Sequence, residues 1–437
     1  MLFFYNLLFP FVFILYLPRF IIKLFRRGGV TFLYGERFSL FSREQRQALR
    51  AHDRPVWIHA VSVGEVVAAC GFIRRWQARS PNQTFVLSTT TTTGHETAGR
   101  KLPGKTTLIY CPLDWYPFVR RTLRLIRPAR LVIFEVEIWP NLVSLTVRKG
   151  VPVALVNGRL SERSAAGYAR HRWLFQPLFE RFSVFCMQSE ADAEHVRRIV
   201  GDRVPVHVCH TMKFDQVADV SESEMPREQL DAAFGPGERL VWTAGSTHDG
   251  EETLVADVFL TLKEEFPALK LVLAPRHHER TGEVERTLRE KQLRYRLLAP
   301  HGSPDATSTD PVDVLLVNTT GELMAFYAAA DLVFVGKSLA GQHGGHNIIE
   351  PAIFAKPIVH GTNMENFELV VDAFRDRDGS REVSTADELT AEMRRLCASE
   401  TARIELGNRA RQVVETCRGA MDITLDHLQV DNAIETT

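Results

Sequence analysis

From Pro55 onward, short apolar runs alternate with stretches of helical spacing, and few architectures other than a wound α/β sheet tolerate that rhythm. Runs at residues 56–61, 84–88, 131–134, 153–156 and 184–187 read as buried strands, with helical stretches such as 64–79 and 118–127 between them. Strands separated by helices pair in parallel, because each crossover returns the chain to the same end of the sheet. The rhythm breaks over residues 215–239, which are rich in acidic residues and contain Pro226, Gly235, Pro236 and Gly237. It restarts with runs at 240–244, 269–274, 312–317, 332–335 and 357–360. A chain of 437 residues also exceeds what one core usually holds. The expected organisation is α/β: an N-terminal Rossmann-like domain at 28–214, a linker at 215–239 and a C-terminal Rossmann-like domain at 240–437. The carboxyl ends of the two sheets are expected to face a central cleft, where ligands of such sheets bind. The final stretch, 385–429, reads as helical and polar and is expected to pack back over a domain surface.

The first 27 residues differ from the rest. Leu2 to Pro18 carry no charge and are dense in Phe, Leu and Tyr, and Arg19, Lys23, Arg26 and Arg27 follow. The uncharged run is slightly short for a full span, which needs about 20 apolar residues. A tilted span or a deep interfacial helix, with Arg19 and Lys23 snorkelling, is the expected membrane anchor at 1–27. No cleaved signal peptide is expected, since no charge precedes the apolar core and no small-residue cleavage site follows. The positive flank places the globular body on the cytoplasmic side. Six scattered cysteines without a CxxC pair read as buried thiols in a reducing compartment. A net charge of zero argues against binding nucleic acid through bulk basicity.

Candidate chemistry gathers where the apolar runs end. His59 to Glu65 follows the first strand and opens a helix, so Glu65 is either a general base in a cleft or an acid favoured by the helix dipole. Glu135 and Glu137, ahead of Trp139 and Pro140, place two carboxylates at i and i+2 after another strand; the alternative is a solvated loop with a structural Trp. Lys213 stands at the domain boundary, where it either neutralises developing negative charge or lies on the surface. In the second half, Gly245–His248, Pro275–His277, Thr319–Leu323 and Gly336–Ser338 all lie at strand ends. Arg276 is placed to fork onto a phosphate or a base edge. Residues 344–351 pair Gly344 and Gly345, which allow close backbone approach, with the expected start of a helix. Asn347 and Glu350 would then share its first turn, with Glu350 accepting from a ribose. No metal-ligand spacing is evident, so phosphate neutralisation is expected from Arg276, Lys213 and helix dipoles. Taken together, these loops read the second domain as a nucleotide domain.

Six segments in order carry a resemblance: HxxSxGE at 59–65, ExEIWPN at 135–141, MKFD at 212–215, PRH at 275–277, TGEL at 320–323 and GGHNxxEP at 344–351. The chain resembles the 3-deoxy-D-manno-octulosonic acid (Kdo) transferases of lipopolysaccharide synthesis over nearly its whole length. The resemblance implies a GT-B fold and inverting, metal-independent transfer of Kdo from CMP-Kdo to a lipid A precursor at the cytoplasmic face of the inner membrane. CMP-Kdo is then a co-substrate, and no cofactor is implied. By position, the resemblance implies that Glu65 is the proton acceptor and that Glu135 and Lys213 stabilise the transition state. It assigns CMP binding to Pro275, Arg276, Thr320, Gly321, Glu322, Asn347, Ile348, Ile349 and Glu350. Asn318 stands where Asp is frequent, Thr320 replaces the usual Met and Lys337 replaces a common Gly. A UDP-sugar 2-epimerase or another lipid-linked glycosyltransferase would share the two-domain cleft and the Gly-rich loop. Neither is expected to carry the 135–141 and 212–215 segments in this order. A catalytically silent, membrane-anchored binding protein is the alternative from a different class.

Overall fold

Successive side chains on a strand point to opposite faces, so a strand buried on both faces must be apolar throughout. That condition organises both sheets of the structure, a computed structural model describing residues 2–26, 32–216, 225–298, 311–319 and 321–434. The chain divides into two units, Met1–Gln216 with Gly419–Thr437, and Val217–Arg418. The first unit contains β1 (Val56–Ala60), β2 (Phe85–Thr89), β3 (Thr106–Tyr110), β4 (Arg130–Phe134), β5 (Val153–Gly158), β6 (Val184–Met187) and β7 (Val206–Val208). They form one parallel sheet in the order β3-β2-β1-β4-β5-β6-β7. Val56, Ile58 and Ala60 of β1 join a core on one face with Phe72 and Ile73, while Trp57 joins the core on the other with Leu123 and Ile126.

The second unit repeats the plan with β8 (Leu240–Thr247), β9 (Leu269–Pro275), β10 (Tyr295–Leu298), β11 (Val314–Val317), β12 (Leu332–Val335), β13 (Ile358–Gly361) and β14 (Arg381–Val383). Its order is β10-β11-β9-β8-β12-β13-β14, again parallel throughout. The expected α/β class with two Rossmann-like domains is therefore present, and each unit has its own two-faced core.

The boundaries differ from those expected. Within 215–239, residues 217–224 lie outside the described residues, but Met225–Phe234 is a helix. Its Leu230, Ala233 and Phe234 pack with Val241 and Val272, so this stretch belongs to the second unit's core. At the other end, Gly419–Thr437 joins the first unit instead of closing the second. The helix Ala420–Ile434 buries Met421, Leu425 and Leu428 against a core shared with Phe72 and Trp76. Asp215 fixes its start, its carboxylate accepting from the N–H groups of Gly419 (2.7 Å) and Met421 (2.8 Å). Arg79 also pairs with Asp422 (2.7 Å) and Asp426 (2.5 Å). Each buried apolar side chain contributes about 1.5–3 kcal/mol, against about 0–1 for an exposed ion pair, so the apolar face decides the docking.

The N-terminal run forms the helix Leu2–Arg26. Among the described residues no helix is long and apolar enough to cross a membrane, so the spanning form of the 1–27 anchor is not supported. One side of the helix is occupied by protein. Asn6 exchanges side-chain hydrogen bonds with Asn141 (2.8 and 3.0 Å), Phe9 stacks on Trp115 at 6.3 Å, and Phe13 meets Phe38 edge-on at 6.2 Å. On the other side Phe3, Phe4, Leu7, Leu8, Phe11 and Leu15 are each more than half exposed.

Replacing Asp215 with Ala leaves two N–H groups at the start of the last helix without their acceptor. Urea unfolding is expected to show a loss of about 1–3 kcal/mol. Hydrogen exchange is expected to quicken in the Ala420–Ile434 helix before the rest of the unit.

Candidate active site

In the first sheet the strand order reverses between β1 and β4, and ligands of open α/β sheets bind at the carboxyl ends beside such a reversal. The helix start after β1 carries Glu65, and the loop after β4 carries Glu135. After β1, Ser62 caps the helix Val63–Arg79, accepting from the Glu65 N–H (3.3 Å). The Glu65 carboxylate reaches back to accept from Val61 N–H (2.9 Å) and Ser62 N–H (3.0 Å). This capping box fixes the carboxylate's direction and buries it, with 6% of the residue exposed. Glu65 therefore caps the helix, and it does so at the switch point.

Glu135 follows β4 in the left-handed conformation, φ 55°, which a non-glycine residue adopts only when its surroundings hold it there. Its carboxyl is pushed up to about 7, first by burial and then by the negative charge of Glu65. Lys213 and Arg159 oppose the rise, and Glu137 adds to it. Glu137 is raised as well, by burial and by Glu65. Burial lowers the Lys213 ammonium, with Glu135 pulling it back up. Glu65, Glu135 and Lys213, separated by up to 148 residues in sequence, thus interact electrostatically. A carboxyl near neutrality between another carboxylate and a lysine is equipped to hold or pass a proton.

Several neighbours from the same motifs serve the fold instead. Asn141 donates its backbone N–H to Asp114 Oδ2 (2.9 Å) and its side-chain amide to the Asp114 carbonyl (2.6 Å). Asp114 itself is pushed up to about 6 by burial, against hydrogen bonds from Asn141, Leu142 and Tyr5. His59 is buried within β1, depressed to about 4 by burial, and its Nδ1 lies 3.0 Å from Ser88 Oγ. Thr91 caps the helix Thr92–Lys101.

The second sheet reverses between β8 and β12. Glu251, fully buried, ties the two following loops together. It accepts from His248 N–H (2.9 Å) in one loop and from Lys337 (2.7 Å), Ser338 (2.9 Å) and Leu339 (3.0 Å) N–H groups in the other. Lys337 has φ 60°, the conformation that glycine adopts freely. The rings of His277 and His346 lie 5.3 and 5.2 Å from that of His248. His346 is depressed to about 3, by burial first and then by His248, Arg276, Lys337 and His277, and its Nε2 is buried with no hydrogen-bond partner. Three imidazoles, Arg276 and Lys337 thus converge on one strand-end region, and such a cluster suits an anion.

The turn at 344–351 departs from the expectation. Its helix is one turn, Ile349–Ala352, too short to add a useful dipole. The N–H groups of Gly344 and Gly345 are engaged, by Glu365 Oε2 (2.6 Å) and the Lys337 carbonyl (2.9 Å). Gly345, at φ 66°, has no room for a side chain: a Cβ would lie 2.3 Å from Met364 Sδ. Ile349 N–H donates to Asn347 Oδ1 (3.2 Å). Ile348 and Ile349 have fully buried side chains, so a ligand could meet only their backbone. Asn347 Nδ2 donates to Glu350 Oε1 at 3.4 Å, and Arg276 interacts with the Glu350 carboxylate electrostatically. Pro275 ends β9, with Arg276 exposed just beyond it. Gly321 and Glu322 precede the Leu323–Ala329 helix, and Glu322 accepts from Thr319 Oγ1 (2.5 Å). Thr320 lies outside the described residues. Arg159, Glu251 and His346 were not singled out by their sequence context, although three strand-end histidines were a usable signal for the last.

Comparison with known proteins adds an independent line. Residues 34–216 match the family model described as 3-deoxy-D-manno-octulosonic-acid transferase (Kdo transferase). The 3-deoxy-D-manno-octulosonic acid transferase of Haemophilus influenzae is 30% identical over 377 residues, 86% of each chain. That of Bordetella pertussis is 30% identical over 421 residues, 92% of this chain and 93% of its own. A glycosyltransferase structure from Rickettsia africae has a TM-score of 0.57 at 11% identity, covering 87% of this chain and 98% of its own. The UDP-GlcNAc 2-epimerase of Neisseria meningitidis gives 0.58 at 11% identity, covering 86% and 99%. At that identity the likeness speaks for the fold alone, two Rossmann-like units of the GT-B class.

The raised Glu135 carboxyl has a consequence for stability. Its folded-state pKa near 7 exceeds the ordinary value of 4.5, so the folded state binds this proton more tightly than the unfolded chain. Its contribution is therefore full below about pH 4.5 and lost as pH rises through 7, with a slope of at most about 1.4 kcal/mol per pH unit. Denaturant titrations between these pH values are expected to show that fall, and Glu135→Gln is expected to flatten it.

Proposed function

Because the chain belongs to the 3-deoxy-D-manno-octulosonic acid (Kdo) transferase family, we propose that it moves Kdo from CMP-Kdo to a lipid A precursor of the lipid IVA type, releasing CMP. In this reading the transfer inverts the anomeric centre and serves lipopolysaccharide biosynthesis. The observation that carries the chemistry is the interacting group of Glu65, Glu135 and Lys213 at the first sheet's switch point. Glu65 takes the proton of the acceptor hydroxyl as its oxygen bonds to the anomeric carbon. On the opposite face the bond from that carbon to the phosphate oxygen breaks, and CMP leaves with the electron pair. Glu135, near its own midpoint, and Lys213 adjust the charge around Glu65 as the proton arrives.

The second unit holds the leaving group in this reading. Arg276 and Lys337 offset the phosphate charge, and the amides of residues 346–348 supply hydrogen bonds. Pro275, Gly321, Glu322 and Asn347 line the nucleotide, with Glu350 on its ribose. CMP departs through a single phosphate, so the reading includes no metal and no cofactor. Lys213, assigned to the first unit's carboxylates, is no longer invoked for that phosphate. The exposed apolar face of the Leu2–Arg26 helix supports attachment to the cytoplasmic face of the inner membrane as an embedded helix, with no nucleic acid among the partners.

Glu65→Gln keeps one acceptor oxygen for the capping box but sets an amide NH2 against the second N–H group, so the rate is read beside the melting temperature. Product formation from CMP-Kdo and a tetraacylated lipid A precursor, followed by mass spectrometry, is expected to slow by about 10²–10⁴-fold while the protein stays folded with a lowered melting temperature. An unchanged rate would remove Glu65 from its assigned role. Calorimetry on the unaltered protein is expected to show tighter binding of CMP than of UDP. A preference for UDP would favour the sugar-epimerase reading instead.

A further inference from the structure

A groove of about 450 Å³ on the first unit lies between the helices Arg43–Ala51 and Tyr116–Ile126. Arg46, Arg50, Arg121, Arg124 and Arg127 line it. Among the described residues no carboxylate pairs with any of the five, whereas Arg79, Arg280 and Arg375 elsewhere each bind acids. All five are exposed, so water and salt screen part of their mutual repulsion, and a ligand that brings negative charge offsets the rest. The guanidinium fork matches the oxygens of a phosphate.

The position of the groove narrows the source of that phosphate. The Tyr116–Ile126 helix carries Arg121 and Arg124, and its opposite end supports the N-terminal helix: Tyr116 N–H donates to Asn6 Oδ1 (3.0 Å). Trp115, just before it, stacks on Phe9. Between these ends Ser39 Oγ donates to the Phe118 carbonyl (2.7 Å), and Phe38 packs edge-on against Phe118 at 5.6 Å. One helix therefore links the five-arginine groove to the uncovered apolar face of Phe3, Phe4, Leu7, Leu8, Phe11 and Leu15. Apolar side chains beside unpaired cations match the layering of a lipid surface, where acyl chains lie beneath charged headgroups. A phosphodiester brings one negative charge. A phosphomonoester brings close to two with three free oxygens, and five unpaired arginines suit the latter better.

We propose that the groove of Arg46, Arg50, Arg121, Arg124 and Arg127 is a binding site for the phosphomonoester of a lipid headgroup. The site is separate from the carboxylate group and does not depend on which sugar is transferred. Its test uses the full-length protein and vesicle flotation. Phosphatidylcholine vesicles carry either phosphatidic acid, a monoester, or phosphatidylglycerol, a diester, at matched surface charge. The unaltered protein is expected to bind the phosphatidic acid vesicles about tenfold more tightly. Arg121→Glu with Arg124→Glu is expected to abolish that preference. Arg163→Glu with Arg170→Glu, the same charge change at exposed positions on another helix, is expected to retain it. If the first pair fails to fold by thermal melting, Arg121→Gln with Arg124→Gln is expected to reduce the preference in the same direction. Equal binding to both vesicles overturns the proposal, as does loss of the preference in both reversal pairs. Inorganic phosphate bound at the groove without any vesicle preference overturns the lipid source.

Discussion

A parallel strand buried on both faces has little room for polar chemistry along its length, so function is displaced to the carboxyl ends where the backbone leaves the sheet. Both units of this protein obey that constraint. Within the strands His59 and Ser88 pair through Nδ1 and Oγ, and burial holds His59 neutral. The titratable groups that matter chemically stand in the loops and first helical turns after β1, β4, β7, β8, β9 and β12. Because strand order reverses beside β1 and beside β8, two such loops diverge at each place and leave space between them.

The two units use that space with opposite sign. Beside β1 the backbone N–H groups of Val61 and Ser62 hold the Glu65 carboxylate, and its charge raises Glu135 and Glu137. Beside β8 the buried carboxylate of Glu251 is consumed by four N–H groups of the surrounding loops. Around it stand Arg276, Lys337 and a histidine group whose burial keeps His346 uncharged, with the Glu350 carboxylate set against Arg276. An acidic edge suits removal of a proton, and a basic edge suits an anion. This division of labour is the physical content of the proposed transfer reaction.

Legibility in the sequence followed burial. The five inner strands of each sheet all coincide with apolar runs, because both faces of an inner strand meet a core. The four edge strands β3, β7, β10 and β14 left no such signal: Thr106, Thr107, His207, Arg296, Arg381 and Glu382 interrupt them. The motifs marked the right loops but not which residue did what. Asn141 and Asp215 stand inside motifs, yet one organises the neighbourhood of Asp114 and the other holds the last helix. Arg159 and Glu251 act through partners far away in sequence, so nothing local distinguished them, while His346 stood inside a motif without its ring partners being visible.

Apolar periodicity and the ordered motifs, both local properties of the chain, were enough to determine two α/β units and membership of the family. Only the tertiary structure decided properties that depend on distance through space. It brought Glu65, Glu135 and Lys213 into one electrostatic group and raised the Glu135 carboxyl to about 7 by burying it. It returned Gly419–Thr437 to the first unit, reduced the helix after Gly345 to a single turn, and gathered arginines from two helices around one groove. A pKa, a docking surface or an ion-binding groove arises from what surrounds a residue, and those surroundings exist only once distant segments have packed.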